Sequence, residues 1–479
     1  MIKKYKKLQK NNLEWILIFI SITIFSFVLR YYLFDVRNSW HDEYHSIYVS
    51  DPSISYKETL ARFWGDKGDH TLVEFYPPLY LFLLKMFFKA FGYIDDNGRI
   101  FSLIFGTFVV PLSMYLSTYF TKSKKTVIVI GIIVASNLFL IWQSLEIRAH
   151  MLVVFVNLIN IILFFEILKS KKIIKVFIYY LISVFNLSLW PISGLIFVGK
   201  GIFLVKELIK NKKIYDFKFL IFFAILVTYI ILNLDYLKFN LSRDFHYTNF
   251  SETFFYNYHF RSFYGSVIVG GAFLLIFGLF FLVKIKELIL ENIRENILLY
   301  IIISTYLLTI IYSYFRASIM SPKYVIFILP LIIIWIIIKI SRTKLSNLLL
   351  IFLTLISIFN LKNINKYTIE RPETKLALEK IVKVNNSNLI YTKENIVFQN
   401  YLETKKLFHE NNLRLIQLDK IQVGEKFWFF CLNNPRFAHG NQKLEIHKKC
   451  LKLNDENNYE VINQFKFPDI ILKNYIKKN

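Results

Sequence analysis

Cysteine is almost absent: Cys431 and Cys450 are the two in 479 residues. They have neither the spacing of a zinc site nor that of a redox motif. Both lie near the C-terminal end, where a disulfide is open to them if that end is extracytoplasmic. Glycine-rich phosphate loops, nucleotide fingerprints and internal repeats are missing, which removes the usual sequence signs of nucleotide binding and repeat architecture. Acidic residues are also scarce, 34 against 59 Lys and Arg, for a formal net charge of +25. That excess does not indicate a nucleic-acid partner, because the basic residues fall in short clusters between apolar runs, the pattern of loops that stay on the cytoplasmic side of a membrane.

Apolar side chain is what the sequence has in abundance. Hydrophobic residues make up 55%, with 49 Phe and 30 Tyr, more than a soluble fold of this length can bury. Runs long enough to cross a bilayer are Leu13–Leu33, Ile100–Phe120, Val127–Trp142, Met151–Leu168, Val176–Trp190, Ile192–Val205, Phe219–Leu237, Tyr264–Val283, Ile297–Phe315, Val325–Ile340 and Leu345–Leu361. They predict eleven spans, nearly uniformly apolar. No small-residue cleavage site follows the first run, and Arg30-Tyr31-Tyr32 has the character of an interfacial anchor, so that run is read as a span and not a signal peptide.

Lysine and arginine cluster at 3–10, 122–125, 169–175, 206–218, 284–294 and 339–344, and the positive-inside rule assigns all six to the cytoplasm. The parity closes if Pro77–Phe91 does not cross. Lys85 and Lys89, four residues apart, make it an amphipathic helix at the outer interface. Every unusual charged or aromatic cluster then falls on the extracytoplasmic face. Beyond Leu361 the chain becomes rich in Lys and Asn, with strand-like runs at Asn388–Tyr391 and Lys426–Cys431 and a helix-like stretch at Glu373–Val384. The predicted fold class is an all-α polytopic membrane bundle over residues 1–361, with an outer loop at 35–98, followed by a small α/β domain at 362–479 that caps the outer face.

Three clusters on that face carry the chemistry. Asp42 and Glu43 follow the first span. A like-charged neighbour and partial desolvation raise a carboxylate pKa, fitting one of the pair to act as a base near neutrality while the other holds a substrate hydroxyl or a cation. Taken alone, the dipeptide is equally what any loop in water carries. Glu146 and Arg148 stand between two spans, placed to pair with each other or with the first loop. Arg316 and Lys323 flank an apolar turn at the outer interface, suited to a lipid-borne phosphate, with membrane snorkelling as the plain alternative.

The ordered set Asp42-Glu43, Tyr76-Pro77-Pro78-Leu79-Tyr80, Arg99–Gly106, Ser144–Met151 and Lys323-Tyr324 with Pro330 resembles the integral-membrane GT-C glycosyltransferases. Among them it is most similar to the protein-mannosyltransferase-like branch, family 39, which includes aminoarabinose and rhizobial core galacturonosyl transferases. The resemblance runs from about Leu13 to Ile340. It implies an inverting transferase that takes a sugar from a polyprenyl-phosphate donor to a glycan, lipid or protein acceptor outside the plasma membrane, without a metal or other cofactor. It makes Asp42 the catalytic base with Glu43 supporting it, and Arg99, Glu146 and Arg148 the cavity lining. Lys323 and Arg316 would hold the phosphate. The chain departs from the family pattern in three places. Tyr76, itself a candidate on the donor side, replaces the His or Lys expected before Pro77-Pro78, so that the phosphate contact either falls to Lys85 or is missing. Trp190-Pro191 stands where a His-Tyr pair is usual, and Lys323 stands for Arg. A transporter or flippase of lipid-linked sugars is the competing class, but it would carry polar residues near the bilayer midplane and repeat symmetry between halves. A scaffold or degenerate enzyme is the third.

Overall fold

Lipid offers no hydrogen bonds to the backbone, so apolar runs of this length can only settle as helices or closed barrels. The computed structural model describes residues 2–35, 38–65, 76–169, 172–211, 217–242, 260–290, 293–315, 319, 321–367, 371–433, 450, 453 and 458–478. Its helices begin with α1 (Ile2–Tyr31), α2 (His41–Val49), α3 (Tyr56–Phe63), α4 (Leu79–Phe91), α5 (Asp95–Ser117), α6 (Lys124–Ser136), α7 (Leu138–Gln143) and α8 (His150–Lys169). They continue as α9 (Ile173–Leu189), α10 (Gly194–Asn211), α11 (Phe217–Leu232), α12 (Leu234–Ser242), α13 (Val267–Leu290), α14 (Ile293–Phe315), α15 (Leu329–Ser341) and α16 (Ser346–Phe359).

All eleven apolar segments are helical over most of their length. Two are broken: Phe219–Leu237 at Asn233, between α11 and α12, and Val127–Trp142 at Asn137, whose side chain accepts the Leu140 N–H at 3.1 Å and so caps α7. Among the described residues, five helices are long and apolar enough to cross a membrane: Leu13–Tyr31, Asp95–Ser117, His150–Lys169, Asn296–Phe315 and Ser346–Lys366. Shorter apolar helices accompany them at Ile173–Leu189, Leu220–Leu232, Val267–Ile276 and Ile326–Ser341.

A glycine permits one close helix crossing. An ideal Cβ on Gly199 of α10 would lie 2.5 Å from the Ile301 Cα of α14, whereas one on neighbouring Gly201 would meet nothing within 4 Å. Small residues let helix backbones approach where lipid supplies little hydrophobic drive for association. Gly199→Ala should therefore cost about 1–3 kcal/mol through overpacking and lower the thermal unfolding midpoint in detergent, while Gly201→Ala should not. Equal midpoints for the two variants would rule out this crossing as the tight one.

The expectation of nearly uniform apolar spans needs correction. Lys200 in α10 has no exposed surface and donates to the Asn160 side chain of α8, with its ammonium 5.2 Å from the Phe164 and Tyr179 rings and 4.9 Å from that of Phe197. Asn160 donates to Ser183 at 2.7 Å, and Asn186, Asn157 and Ser193 form a second polar link at 2.8 and 2.9 Å. One charge among many Ile, Leu and Phe residues leaves a run apolar on average, which is why the sequence pattern hid it.

The loop after α1 folds over one end of the bundle. The Glu43 carboxylate accepts the Trp40 N–H at 3.2 Å and starts α2, Ser55 caps α3 through the Glu58 N–H at 3.1 Å, and α4 ends at Gly92 with φ of +105°. The expected helix at Pro77–Phe91 is present, but its two lysines do not share an environment. Lys89 is exposed and Lys85 is buried.

The tail supplies α17 (Thr374–Val384), α18 (Ile396–Glu403) and α19 (Lys406–Glu410) around strands β1 (Leu389–Tyr391), β2 (Arg414–Leu415), β3 (Lys426–Leu432), β4 (Tyr459–Phe467) and β5 (Ile470–Lys477). The sheet order is β2-β1-β3-β5-β4, with β1 parallel to β2 and β3, and β5 antiparallel to β3 and β4. Its central strand β3 buries both faces, as a strand paired on both edges and covered on both sides must. Cys431 and Cys450 are joined in a disulfide. This small domain sits directly on the outer-loop segment. Glu373 accepts from Asn38 at 2.9 Å, Thr404 accepts the Asp95 N–H at 3.3 Å, and the Tyr44 and Tyr401 rings lie 4.0 Å apart. The loop and the C-terminal domain therefore occupy the same face of the bundle.

Candidate active site

The first turn of α2 carries Asp42 and Glu43. Neighbouring helical positions diverge by about 100°, and the two carboxylates accordingly meet different partners. The Asp42 side chain is 30% exposed, with Lys323 Nζ 3.0 Å and Arg148 Nη2 4.0 Å from its Oδ2. Arg148 also donates to the Asp42 carbonyl at 3.0 Å and to Ser46 Oγ at 3.3 Å. Glu43 is fully buried. Its Oε1 accepts the Ile147 N–H at 2.9 Å and its Oε2 faces Arg371 Nη1 at 2.5 Å. The expected mechanism in which Glu43 raises the basicity of Asp42 by like-charge repulsion thus loses its geometry, because Arg371 neutralises Glu43 on a different side of the helix.

Aromatic rings wall the Asp42 group. The Arg148 guanidinium lies 5.4 Å from the Tyr76 ring, and Tyr76 packs on Trp190 at 5.2 Å. Trp190 donates its indole N–H to the Tyr324 carbonyl at 3.0 Å. Lys323 stands 5.3 Å from the Trp40 ring and 5.6 Å from that of Tyr324. Burial works against the Lys323 charge, yet the Asp42 carboxylate prevails and holds the ammonium pKa above the ordinary lysine value. The resulting constellation is one partly open carboxylate between two cations, beside rings suited to cation–π contact. Chemically it offers a proton acceptor and, beside it, cations able to hold an anion.

The structure divides the remaining sequence-predicted residues. Glu146 is buried and receives Arg371 Nη2 at 2.7 Å, with His150 Nδ1 3.5 Å from its other oxygen. Instead of lining an open cavity, it stands behind the Asp42 group. Arg99 is likewise buried, donating to Ser39 Oγ at 2.8 Å and lying 3.6 Å from Asp95, which Lys405 of the C-terminal domain also contacts. This places Arg99 at the domain junction and corrects its assignment as cavity lining. Lys85 is corrected too: its ammonium donates to the carbonyls of Asp51 and Ile54 at 2.6 Å each and to Thr59 Oγ1 at 3.0 Å. Three internal acceptors saturate it, and burial pulls its pKa below the usual lysine value, so it is a clamp on the α2–α3 turn and not a phosphate ligand. Arg316 lies outside the described residues. Among the described residues no group of three or more His, Cys, Asp or Glu side chains stands where it could hold a metal ion.

Two residues were missed. Arg371 gave no signal beyond being one of three arginines after Leu361, because its role depends on partners more than two hundred positions away. Trp190 was noted only as a departure from a pattern, yet it joins Tyr76 to Tyr324.

No protein-family model matches this sequence, and no curated protein matches it. Solved structures do share its fold. ArnT from Cupriavidus metallidurans bound to undecaprenyl phosphate superposes with a TM-score of 0.55 at 9% identity, over 96% of this chain and 98% of that one. The apo state of ArnT gives a TM-score of 0.56 at 10% identity, over 97% and 98%. The chain therefore has the GT-C fold of ArnT along essentially its whole length, as the ordered clusters of the sequence led one to expect.

Proposed function

We propose that this protein is a membrane glycosyltransferase of the family 39 type, moving a sugar from a polyprenyl-phosphate donor to an acceptor hydroxyl outside the plasma membrane. The observation that carries the reading is the Asp42 carboxylate held between Lys323 and Arg148 on a fold shared with ArnT, one structure of which contains undecaprenyl phosphate. The acceptor oxygen attacks the anomeric carbon from the face opposite the phosphate. Its proton passes to Asp42, the C–O bond to phosphate breaks, and the bonding pair leaves with the polyprenyl phosphate. The leaving phosphate gains negative charge as that bond breaks, so cations beside it act most strongly at the transition state. Lys323 serves both ends of the reaction. As its ammonium turns to the donor phosphate, Asp42 loses a cation that stood 3.0 Å away and becomes more basic.

The disulfide in the C-terminal domain supports an extracytoplasmic location for that face. The acceptor, whether glycan, lipid or protein, and the choice between hexose and pentose follow from contacts the donor and acceptor themselves would make. The test is transfer by purified protein from a radiolabelled polyprenyl-phosphate sugar, with released polyprenyl phosphate as the paired product. A second reading, a transporter of lipid-linked sugar, is favoured by one feature, the buried Lys200 with its Asn and Ser neighbours. It predicts movement of intact donor across proteoliposomes with no polyprenyl phosphate released, an outcome that would replace the enzymatic reading.

A further inference from the structure

A buried carboxylate is tolerated only when charge and hydrogen bonds answer it. Here two such groups, Glu43 and Glu146, reach the same cation from different parts of the bundle. Arg371 is 5% exposed on its side chain and places Nη1 2.5 Å from Glu43 and Nη2 2.7 Å from Glu146. It also donates to the Asn38 carbonyl at 3.3 Å, and its guanidinium lies 5.2 Å from the Trp40 ring. We infer that Arg371, carried by the C-terminal segment, is a positioning residue of the active site, and that the C-terminal domain thereby sets the geometry of Asp42, Arg148 and Lys323.

The two carboxylates and the ring that Arg371 meets each stand within two residues of one of those groups. Glu43 adjoins Asp42, and its other oxygen holds the Ile147 N–H at 2.9 Å, next to Arg148. Glu146 is two residues before Arg148 on the same turn. Trp40, whose ring lies near Arg371, has Lys323 5.3 Å from the same ring. A planar fork suits this task, since two N–H prongs at fixed angles hold two carboxylates in one arrangement, whereas an ammonium is a single point of charge. Three charged groups from α2, from the turn before α8 and from the tail thus share one brace beside the partly open Asp42 carboxylate.

The inference uses the glycosyl-transfer reading for its activity assay, but the brace has a readout of its own. Full-length protein in nanodiscs would be compared as wild type, Arg371→Lys, Arg371→Ala and the neutral triple variant Glu43→Gln/Arg371→Met/Glu146→Gln. Amide hydrogen exchange over residues 41–49 and 144–150 should quicken by about tenfold or more in Arg371→Ala, because the Glu43 to Ile147 hydrogen bond loses its anchor. Turnover should fall by about tenfold or more, with donor affinity within about threefold of wild type, and Arg371→Lys should recover part of both losses. Should Arg371→Ala fail to fold, the triple variant decides, because it removes the brace without leaving an unpaired buried charge. Wild-type turnover in a folded triple variant, or in Arg371→Lys together with unchanged exchange, would overturn the inference. Absence of transfer by the wild type would instead defeat the proposed reaction and leave the exchange result to judge the brace.

Discussion

Asp42→Asn should lower sugar transfer by about 10² or more while donor affinity stays close to wild type. General-base assistance contributes about 10² to 10⁴ to rate, and the amide keeps the size of the carboxylate but cannot take the proton. The local structure gives reason to expect the variant to fold. Arg148 holds this position through the Asp42 main-chain carbonyl at 3.0 Å, a contact the substitution leaves alone, and the amide oxygen can still accept from Lys323. The side chain is also 30% exposed and that of Lys323 23%, so water can answer the ammonium, while Arg148 keeps its bonds to the Asp42 carbonyl and Ser46 Oγ. Loss of turnover with unchanged donor affinity is the signature of a group acting mainly in the transition state. Near-normal transfer by a folded Asp42→Asn protein would remove it as the base. Glu43→Gln should behave differently. It removes charge from a fully buried pair with Arg371, so its loss of turnover should come with a lower unfolding temperature, which Asp42→Asn should not show.

Lys323→Ala should weaken binding of the polyprenyl-phosphate donor by about 10- to 100-fold, the range expected when one charge-assisted hydrogen bond to phosphate is lost. Direct binding to purified protein measures it. The sign of the pH dependence follows from the Asp42 contact. That neighbour keeps the ammonium pKa above the ordinary lysine value, so the Lys323 contribution is complete below that ordinary value and is lost only as pH rises past the raised one. Donor affinity should consequently hold level from about pH 7 to 10. A Lys323→Ala protein that binds donor as tightly as wild type would confine this lysine to its partnership with Asp42.

What could be read from the sequence is what depends on local pattern. Apolar runs announced the helices, and the strands at Leu389–Tyr391 and Lys426–Leu432 were visible as dense β-branched and aromatic runs. Asp42, Arg148 and Lys323 stood out because each is a charge at the edge of an apolar stretch, and the structure brings all three together. Burial of polar groups by distant partners was not readable. Lys85 and Lys89 share a helical face by spacing, but the α2–α3 turn covers only the former. Glu43 looked like a second member of a catalytic pair until its oxygens were found on Ile147 and Arg371. Lys200 vanished into the average hydropathy of its run. Each of these needs a partner from another helix or from the tail, and spacing along a chain does not carry that information.

The brace also has a consequence in time. Arg371 follows Glu43 by 328 positions and Glu146 by 225, so at translation rates of about 5 to 20 residues per second these carboxylates emerge about 15 to 65 and about 10 to 45 seconds before the guanidinium that answers them. Until then Glu43 and Glu146 have to remain hydrated, and Asp42 beside Glu43 lacks the support of the brace. Under the proposed reaction, synthesis itself then delays competence: a nascent chain would insert its early helices and meet donor lipid well before it could turn that donor over.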